Sequence, residues 1–253
     1  MNKRIMELKG VEVWDGNMAN SQALRQADVD VVAAYPITPS TATVENYAMF
    51  HANGYIDGEV MMTESEHAAM SACIGAGAAG GRVATATSSQ GLALMIETLY
   101  QASGMRIPVV LCLVNRALAA PLNVNGDHSD LYLTRDSGWI SIDAFSPQEA
   151  YDMTLMSFKI SEHPEVRLPV ISNQDGFMTS HTAQNVLPLK DDVACKFVGD
   201  YLQVNALLNF DKPVTHGVQT EQDWHFEHKA KQHAALMGSK KVILEIFAQF
   251  KEL

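Results

Sequence analysis

The sequence contains 253 residues, and its apolar fraction of 47% is sufficient for one large globular domain with its own buried core. The formal net charge is -11, and no run of Lys or Arg is longer than two residues. This charge argues against a nucleic acid or an anionic membrane surface as the main partner, because both are bound through clustered basic side chains.

Cysteine usage and the N-terminus indicate the compartment. The three cysteines have no CxxC or His-paired spacing, so they offer neither an iron–sulfur centre nor a structural zinc site. Their odd number, without a disulfide pattern, favours the cytoplasm. The first residues lack the apolar core of a signal peptide, and the apolar stretch 107–114 is too short to span a bilayer. We therefore expect a soluble, cytoplasmic protein.

Six short apolar runs alternate with segments of helical character. The helices are predicted at residues 17–27, 41–53, 65–80, 90–103 and 147–163, and the apolar runs at 29–34, 59–62, 82–87, 108–114, 139–144 and 168–172. Apolar runs without strict alternation are typical of strands buried on both faces. Repeated strand, helix, strand units predict an α/β fold in which helices cover both faces of a mostly parallel sheet.

The helix predicted at residues 65–80 is rich in alanine and glycine. Each glycine lowers helix stability but allows a neighbouring backbone to approach closely. We expect this helix to pack deep in the molecule or against another subunit.

The alternation of strands and helices stops near Thr179. Residues 179–213 are mixed polar with two prolines and no repeat, and we interpret them as an arm. Helical patterns follow at residues 221–237 and 240–253. The sequence therefore predicts a main domain at residues 1–178 and a C-terminal arm with helices at residues 179–253.

Polar residues are concentrated in the loops that follow the predicted strands. In chain order these loops read YPITPST (35–41), TESEHA (63–68), TSSQG (87–91), NRALAAPLNVNGDHSD (115–130) and NQDGF (173–177). In an open parallel sheet, ligands bind outside the carboxyl ends of the strands. In the first loop, two prolines bias Tyr35 and Thr38 towards extended backbone and hold the Thr38 hydroxyl in place. This stiffness suits a ligand contact, and it suits a plain turn equally well.

Two of the predicted helix starts carry polar side chains. Glu64 and Glu66 precede or begin the Ala/Gly helix, where the helix dipole favours acidic residues. Alternatively, one of them is a buried carboxyl that carries a proton, and spacing does not tell which one points inward. In TSSQG, we expect Thr87, Ser88 or Ser89 to cap the following helix.

Arg116 directly follows the buried strand VVLCLVN, where a guanidinium needs an anionic partner. That partner is either a loop carboxylate, Asp127 or Asp130, or the carboxylate of a substrate. His128 lies between these two aspartates without a second histidine nearby, so we expect it to brace the loop or to be solvated. We assign no metal to this chain.

Several common motifs are missing from the sequence. It has no GxGxxG after a strand, no Walker loop, no GxSxG and no Cys/His dyad signature. Nucleotide, acyl-serine and acyl-cysteine chemistry therefore has no local support.

Taken together, YPITPST, TESEHAAM, ATSSQGL, VNRALAAPLNVNGDHSD and NQDGF with TSH resemble one family. They are similar to the N-terminal domain of the alpha subunit of pyruvate:ferredoxin oxidoreductases, also called pyruvate synthases. The resemblance runs from about Glu12 to about His181, and FDKPVTHGVQTEQDWHFEH is similar to the arm that ends this domain. Alpha subunits of the family usually continue into a second domain, whereas this sequence ends at Leu253. We expect the second domain on a longer chain or on another polypeptide.

The resemblance implies an enzyme that uses thiamine diphosphate to decarboxylate pyruvate, passes electrons to ferredoxin or flavodoxin, and transfers the acetyl group to coenzyme A. Residues 1–178 would form its pyrimidine-binding half. The family pattern assigns Glu66 to N1′ of the aminopyrimidine, where a buried carboxyl can hold a proton. It assigns Arg116 to the 2-oxoacid carboxylate, and Thr38 to the carboxylate or the keto oxygen.

The resemblance also implies partner subunits: a thiamine-diphosphate-binding beta subunit, a gamma subunit and a ferredoxin-like delta subunit. The diphosphate, its magnesium and the [4Fe-4S] clusters are expected there, since no GDG with a distal Asn pair occurs in this chain. A related enzyme for 2-oxoisovalerate or 2-oxoglutarate is an alternative, because Thr38 and Arg116 would bind the carboxylate that these acids share. A non-catalytic assembly module is a second alternative, but the presence of all three residues, Thr38, Glu66 and Arg116, argues against it.

Overall fold

A six-stranded parallel sheet lies at the centre of the structure, a computed structural model that describes residues 4–8, 10–217 and 219–253. After a short first strand, β1 (Glu12–Trp14), its strands are β2 (Val31–Ala34), β3 (Glu59–Met62), β4 (Val83–Thr87), β5 (Val110–Asn115), β6 (Ile140–Ala144) and β7 (Val170–Asp175). Their spatial order is β3-β2-β4-β5-β7-β6, and every neighbouring pair is parallel. All six predicted runs are strands of this sheet, so the predicted α/β fold is confirmed.

Helices cover both faces of the sheet. In chain order they are α1 (Gly16–Gln26), α2 (Thr41–Ala52), α3 (Glu66–Ala79), α4 (Ser89–Leu94), α5 (Ile96–Gly104), α6 (Ser129–Tyr132), α7 (Pro147–Glu162), α8 (Asp191–Val198) and α9 (Gln222–Lys251). Successive side chains of a strand point to opposite faces, and in β5 Val110 and Cys112 join one core while Leu111 and Leu113 join the other. Helices α1, α2, α7 and α9 pack over the first core, and α3, α4 and α5 over the second.

The alanine- and glycine-rich helix α3 packs deep against the sheet, which is one of the two positions expected for it. Its inner face contacts β2 and β4. A Cβ atom added to Gly77 would lie 2.6 Å from Cγ2 of Ile107, so a glycine is required there for this close approach. Ser71 and Gly75 are exposed on its outer face, and a Cβ at Gly75 would meet nothing within 4 Å.

Two predictions were wrong about where a helix is continuous. The helix expected at residues 90–103 is divided into α4 and α5 at Met95, which is completely buried and whose backbone (φ -92°, ψ 4°) departs from helical geometry. The two C-terminal helices are one, α9. Its buried residues Gln232, Ser239, Val242 and Ile246 follow one helical stripe across the predicted gap, and packing of this stripe stabilises the helix despite Gly238. None of the helices that the structure describes is both long and apolar enough to cross a membrane.

The segment interpreted as an arm contains two elements that the sequence did not predict. Strand β8 (Gln184–Val186) pairs antiparallel with β1, and α8 packs against α1 and α7. The Arg25 guanidinium ties α8 to α1, because it donates to both carboxylate oxygens of Asp191 at 2.8 and 2.6 Å. A three-residue strand carries too little alternation to be recognised in sequence. The division of the chain at residue 178 stays a prediction.

Candidate active site

The order of the strands reverses between β2 and β4. The chain passes from β2 to β3 on one side and returns to the other side of β2 as β4. Strand β2 leads into α2 over the first core, whereas β4 leads into α4 over the second. The loops that follow them therefore leave in opposite directions and open a crevice at the carboxyl edge of the sheet, where ligands bind in such folds.

Glu66 is the first residue of α3 and points into the protein. Its side chain is buried, whereas Glu64 is exposed, so the structure decides between the two carboxylates. Ser65 caps the helix by accepting a hydrogen bond from the main-chain N–H of Ala68 at 3.1 Å. The Glu66 carboxylate makes no hydrogen bond or ion pair with any residue in the described part of the chain.

Gly91 leaves the space that the Glu66 carboxylate occupies. A Cβ atom on Gly91 would lie 2.6 Å from Oε1 of Glu66 and would also collide with the hydroxyl of Thr87. The buried carboxylate thus lies against the loop that follows β4. Any larger side chain at position 91 must displace it.

The hydroxyls of this loop do not cap α4, so that prediction was wrong. Ser88 is the N-cap residue, yet its hydroxyl accepts no hydrogen bond from the helix. The main-chain N–H of Ser89 instead donates to Oδ2 of Asp130 at 2.9 Å, so a carboxylate from α6, 41 residues along the chain, replaces the cap. The hydroxyls of Thr87 and Ser88 are buried without a partner among the described residues, which is rare unless a ligand or water completes them.

The Arg116 guanidinium is buried and contacts neutral oxygens. Nη1 donates to the main-chain oxygen of Thr38 at 2.8 Å, and Nη2 donates to Oε1 of Gln90 at 2.6 Å. Nε is buried without a partner, and the guanidinium forms no ion pair within the described residues. Of the two alternatives for its partner, the internal ion pair with Asp127 or Asp130 is therefore not formed, and the charge remains open to an external anion.

Asp130, one of the two carboxylates considered as a partner of the guanidinium, binds main-chain groups instead. Its fully buried carboxylate accepts from the main-chain N–H groups of Ser89, Arg116 and Leu131 and from Nδ2 of Asn115, at 2.7 to 3.0 Å. Burial raises the pKa of Asp130, while these four donors lower it. The sequence gives no signal for this role, because the partners lie up to 41 residues away.

Thr38 lies at the mouth of the crevice. Its side chain is exposed, and its hydroxyl makes no hydrogen bond with the residues that the structure describes. Asn17 of α1 anchors this loop to the interior, because its Nδ2 donates a buried hydrogen bond to the main-chain oxygen of Pro39 at 3.0 Å. The Thr38–Pro39 peptide bond is cis. Thr38 and Arg116 are thus in direct contact, and the loop of residues 87–91 connects Arg116 to Glu66.

The last residues of β7 lie at the same edge of the sheet. Oδ1 of Asn173 and both amide atoms of Gln174 are buried without partners in the described part of the chain. His128 braces the long loop after β5, as predicted, since its Nε2 lies 3.0 Å from Oδ2 of Asp175. No group of three or more His, Cys, Asp or Glu side chains among the described residues is arranged to hold a metal ion.

Two clefts lie elsewhere on the described surface. One of about 600 Å³ separates residues 4–8 from α8, and another of about 470 Å³ lies between α5 and the start of α9. Neither is lined by Thr38, Glu66 or Arg116. Most of the buried polar atoms that lack partners among the described residues lie at the carboxyl edge of the sheet, which favours this edge over the two clefts as the reactive site.

Comparisons with known proteins place the chain in a family. A family model described as pyruvate flavodoxin/ferredoxin oxidoreductase, thiamine diphosphate-binding, matches residues 22–248. The pyruvate synthase subunit PorA of Thermotoga maritima is 48% identical over 94% of this chain and 60% of its own length. That of Methanocaldococcus jannaschii is 47% identical over 96% of this chain and 62% of its own. The ketoisovalerate oxidoreductase subunit VorA of Pyrococcus abyssi is 41% identical over 98% and 62%.

The chain therefore spans about 60% of the length of these relatives. Among solved structures, the 2-oxoglutarate:ferredoxin oxidoreductase of Magnetococcus marinus, with 2-oxoglutarate, coenzyme A and succinyl-CoA bound, superimposes with a TM-score of 0.77. The match covers 93% of this chain and 46% of that one at 21% identity, and it shows a shared fold. By its sequence and by the family model, this chain belongs to the pyruvate flavodoxin/ferredoxin oxidoreductase family, in its thiamine diphosphate-binding domain.

Proposed function

We propose that this chain is the pyrimidine-binding subunit of a pyruvate synthase. In this reaction pyruvate and coenzyme A give acetyl-CoA and CO2, and the electrons pass to ferredoxin or flavodoxin. The observation that carries the proposal is the buried Arg116 guanidinium, which has neutral partners and lies against Thr38 at the crevice. The carboxylate of a small 2-oxoacid is the anion that this arrangement lacks. The PorA subunits, at 42 to 48% identity, support pyruvate as the acid.

The crevice fits the aminopyrimidine end of thiamine diphosphate. The hydroxyls of Thr87 and Ser88 are buried without partners among the described residues, and the Glu66 carboxylate beside them makes no hydrogen bond or ion pair there. The missing side chain of Gly91 leaves the space that Glu66 and Thr87 occupy. We assign Glu66 to N1′ of the ring, and the two hydroxyls to its polar edge. When bound, thiamine diphosphate supplies a carbon nucleophile for the keto carbon and accepts the electrons that CO2 leaves behind.

In this proposal Glu66 holds a proton at N1′ of the pyrimidine. The Glu66 side chain is buried at the start of α3, and its carboxyl faces the loop of residues 87–91. A carboxyl positioned in this way can share its proton with a ring nitrogen throughout the reaction. Glu64 cannot do so because its side chain is exposed.

Arg116 and Thr38 orient the substrate. The guanidinium pairs with the 2-oxoacid carboxylate, and the exposed Thr38 hydroxyl donates to the carboxylate or to the keto oxygen. The carboxylate has to leave as CO2, so its binding must be temporary. Because the Thr38 and Gln90 oxygens hold the guanidinium, Arg116 keeps its position when the carboxylate departs.

The rest of the reaction belongs to partner subunits. We assign the diphosphate site, its magnesium and the [4Fe-4S] clusters to beta, gamma and ferredoxin-like delta subunits, and the pyrimidine site to residues 1–178 of this chain. The three cysteines support this division: Cys73 and Cys112 are buried as free thiols within the cores, and Cys195 lies on α8, away from the crevice.

The test is pyruvate-dependent reduction of a viologen dye by the complex reconstituted from this chain and its partners. We expect Glu66→Gln to lower kcat by about 100-fold or more, since the amide cannot share a proton with N1′. Glu64→Gln is the matched control and should retain the wild-type rate. Equal rates for Glu66→Gln and the wild type would overturn the proton-holding role.

The same assay identifies the acid. We expect kcat/KM to be higher for pyruvate than for 2-oxoisovalerate or 2-oxoglutarate. The VorA relatives, at 41 to 42% identity, make a ketoisovalerate enzyme the second candidate. A preference for either larger acid would replace pyruvate in the proposal, and a complex that reduces the dye with none of the three would favour a non-catalytic module.

A further inference from the structure

We propose that Gln90 is a positioning residue that holds the Arg116 guanidinium in place while leaving its charge available to the substrate carboxylate. This inference rests on the proposed function, in which Arg116 binds the substrate carboxylate. It assigns part of the specificity for an anion to Gln90, which contacts Arg116.

Gln90 is itself held firmly. Its Oε1 accepts from Nη2 of Arg116 at 2.6 Å and lies 2.6 Å from the Ser89 hydroxyl. That hydroxyl lies equally close to the main-chain oxygen of Ala117, one residue after Arg116. Ser89 is completely buried, with a left-handed backbone (φ +49°) that turns the chain from β4 into α4. The amide oxygen of Gln90 is therefore fixed relative to the strand end that carries Arg116.

The chemical type of this partner matters more than its position. An amide oxygen accepts a hydrogen bond from a guanidinium without cancelling its charge. The other acceptor, the main-chain oxygen of Thr38, is also neutral. Asp130 takes the main-chain N–H of Arg116 and leaves the guanidinium unpaired. Arg116 is thus oriented by two neutral oxygens, and a bound carboxylate becomes its counter-ion.

A glutamate at position 90 has nearly the same shape and keeps an acceptor oxygen, but it would form an ion pair with Arg116. That pair would compete directly with the substrate carboxylate. A methionine has a similar length and removes the acceptor without adding charge. The two variants therefore separate the charge effect from the loss of a hydrogen bond.

The experiment measures KM and kcat for pyruvate in the reconstituted complex, together with the inhibition constant of oxamate, which has the same carboxylate. We expect Gln90→Glu to raise KM and the oxamate constant by about tenfold or more, and Gln90→Met by about two- to fivefold, with smaller changes in kcat. Gln101→Glu, exposed on α5, controls for one added negative charge. If Gln90 only braces the loop, Gln90→Met should raise KM at least as much as Gln90→Glu does. That result would overturn the inference.

Arg116→Ala, measured in parallel, separates the two proposals. If Arg116→Ala leaves KM unchanged, the substrate-binding part of the proposed function fails. If it raises KM while Gln90→Glu does not, the inference on Gln90 fails and the proposed function stands. Should Gln90→Glu not assemble, the Gln90→Met, Arg116→Ala double variant decides. A rise in KM beyond that of Arg116→Ala alone contradicts the inference, and no further rise supports it.

Discussion

The carboxylate of Asp130 accepts a hydrogen bond from the main-chain N–H of Arg116 at 3.0 Å, while the guanidinium of the same arginine is left to neutral oxygens. The same carboxylate also holds the main-chain N–H of Ser89. One buried side chain thus joins the loop after β4 to the end of β5. The relative positions of the two loops depend on it.

Asp130→Asn should therefore destabilise the protein. The amide nitrogen cannot accept, so some of the four N–H donors lose their partner, and we expect a loss of about 1–3 kcal/mol in the free energy of unfolding. The measurement is urea unfolding of the full chain. Asp136→Asn, at an exposed position beside Arg135, is the control and should leave the unfolding midpoint unchanged. An unchanged midpoint for Asp130→Asn would contradict the structural role assigned to this carboxylate.

Gly91→Ala should weaken cofactor binding through Glu66. The added methyl group would lie 2.6 Å from Oε1 of Glu66 if nothing moved, so the carboxylate has to leave its position. We expect the apparent affinity for thiamine diphosphate, measured by titration of the reconstituted complex, to fall by about tenfold.

Gly75→Ala is the matched glycine-to-alanine control for Gly91→Ala. Gly75 lies on the exposed outer face of α3, and a Cβ there meets nothing within 4 Å. Because alanine favours helix over glycine, the isolated chain should gain about 0.5–1 kcal/mol in stability. Equal cofactor affinity for Gly91→Ala and the wild type would show that Glu66 does not depend on the space at position 91.

Arg82→Ala should be strongly destabilising. The guanidinium donates to both carboxylate oxygens of Glu162 at 2.7 and 2.8 Å and to the main-chain oxygen of Gly199 at 2.8 Å. Its removal leaves the Glu162 carboxylate buried without its counter-ion, which costs about 3–5 kcal/mol for such pairs. Urea unfolding measures this loss. Arg135→Ala breaks an exposed ion pair and should have no measurable effect, and a similar result for Arg82→Ala would refute the prediction.

Asp152 makes stability depend on pH. Burial raises the pKa of Asp152 from 3.8 to about 6. Because the folded-state pKa lies above the unfolded one, the native state binds more protons between these values, and stability is lost as the pH rises through this window. We expect Asp152→Asn to be more stable than the wild type by about 1–2 kcal/mol at about pH 7.5 and equal to it below about pH 4.

The measurement for Asp152 is urea unfolding across this pH range. Glu227→Gln, on the exposed side of α9, controls for the loss of one carboxylate. A stability difference between Asp152→Asn and the wild type that does not change with pH would contradict the prediction.

Short apolar runs were sufficient to locate the sheet. Strand β3 has the bounds predicted from sequence, and the other five runs differ from β2, β4, β5, β6 and β7 by a few residues at their ends. The inner strands β4 and β5 are buried on both faces and leave a strong local signal, because most of their residues are apolar. The expectation of burial on both faces was wrong for the edge strands β3 and β6, which are partly exposed. The short elements β1, β8, α6 and α8 left none, and the continuity of α9 depended on its packing against α7 rather than on local preference.

The sequence by itself determined that Thr38, Glu66 and Arg116 follow parallel strands, and therefore that they lie at one edge of the sheet. Only the tertiary structure decided that Glu66 rather than Glu64 points inward, that Asp130 binds main-chain groups, and that Gln90 meets Arg116. The physical reason is that strand positions follow from local hydrophobic patterning. Each of these three decisions instead depends on the direction of one side chain and on partners that the fold brings together from distant parts of the chain.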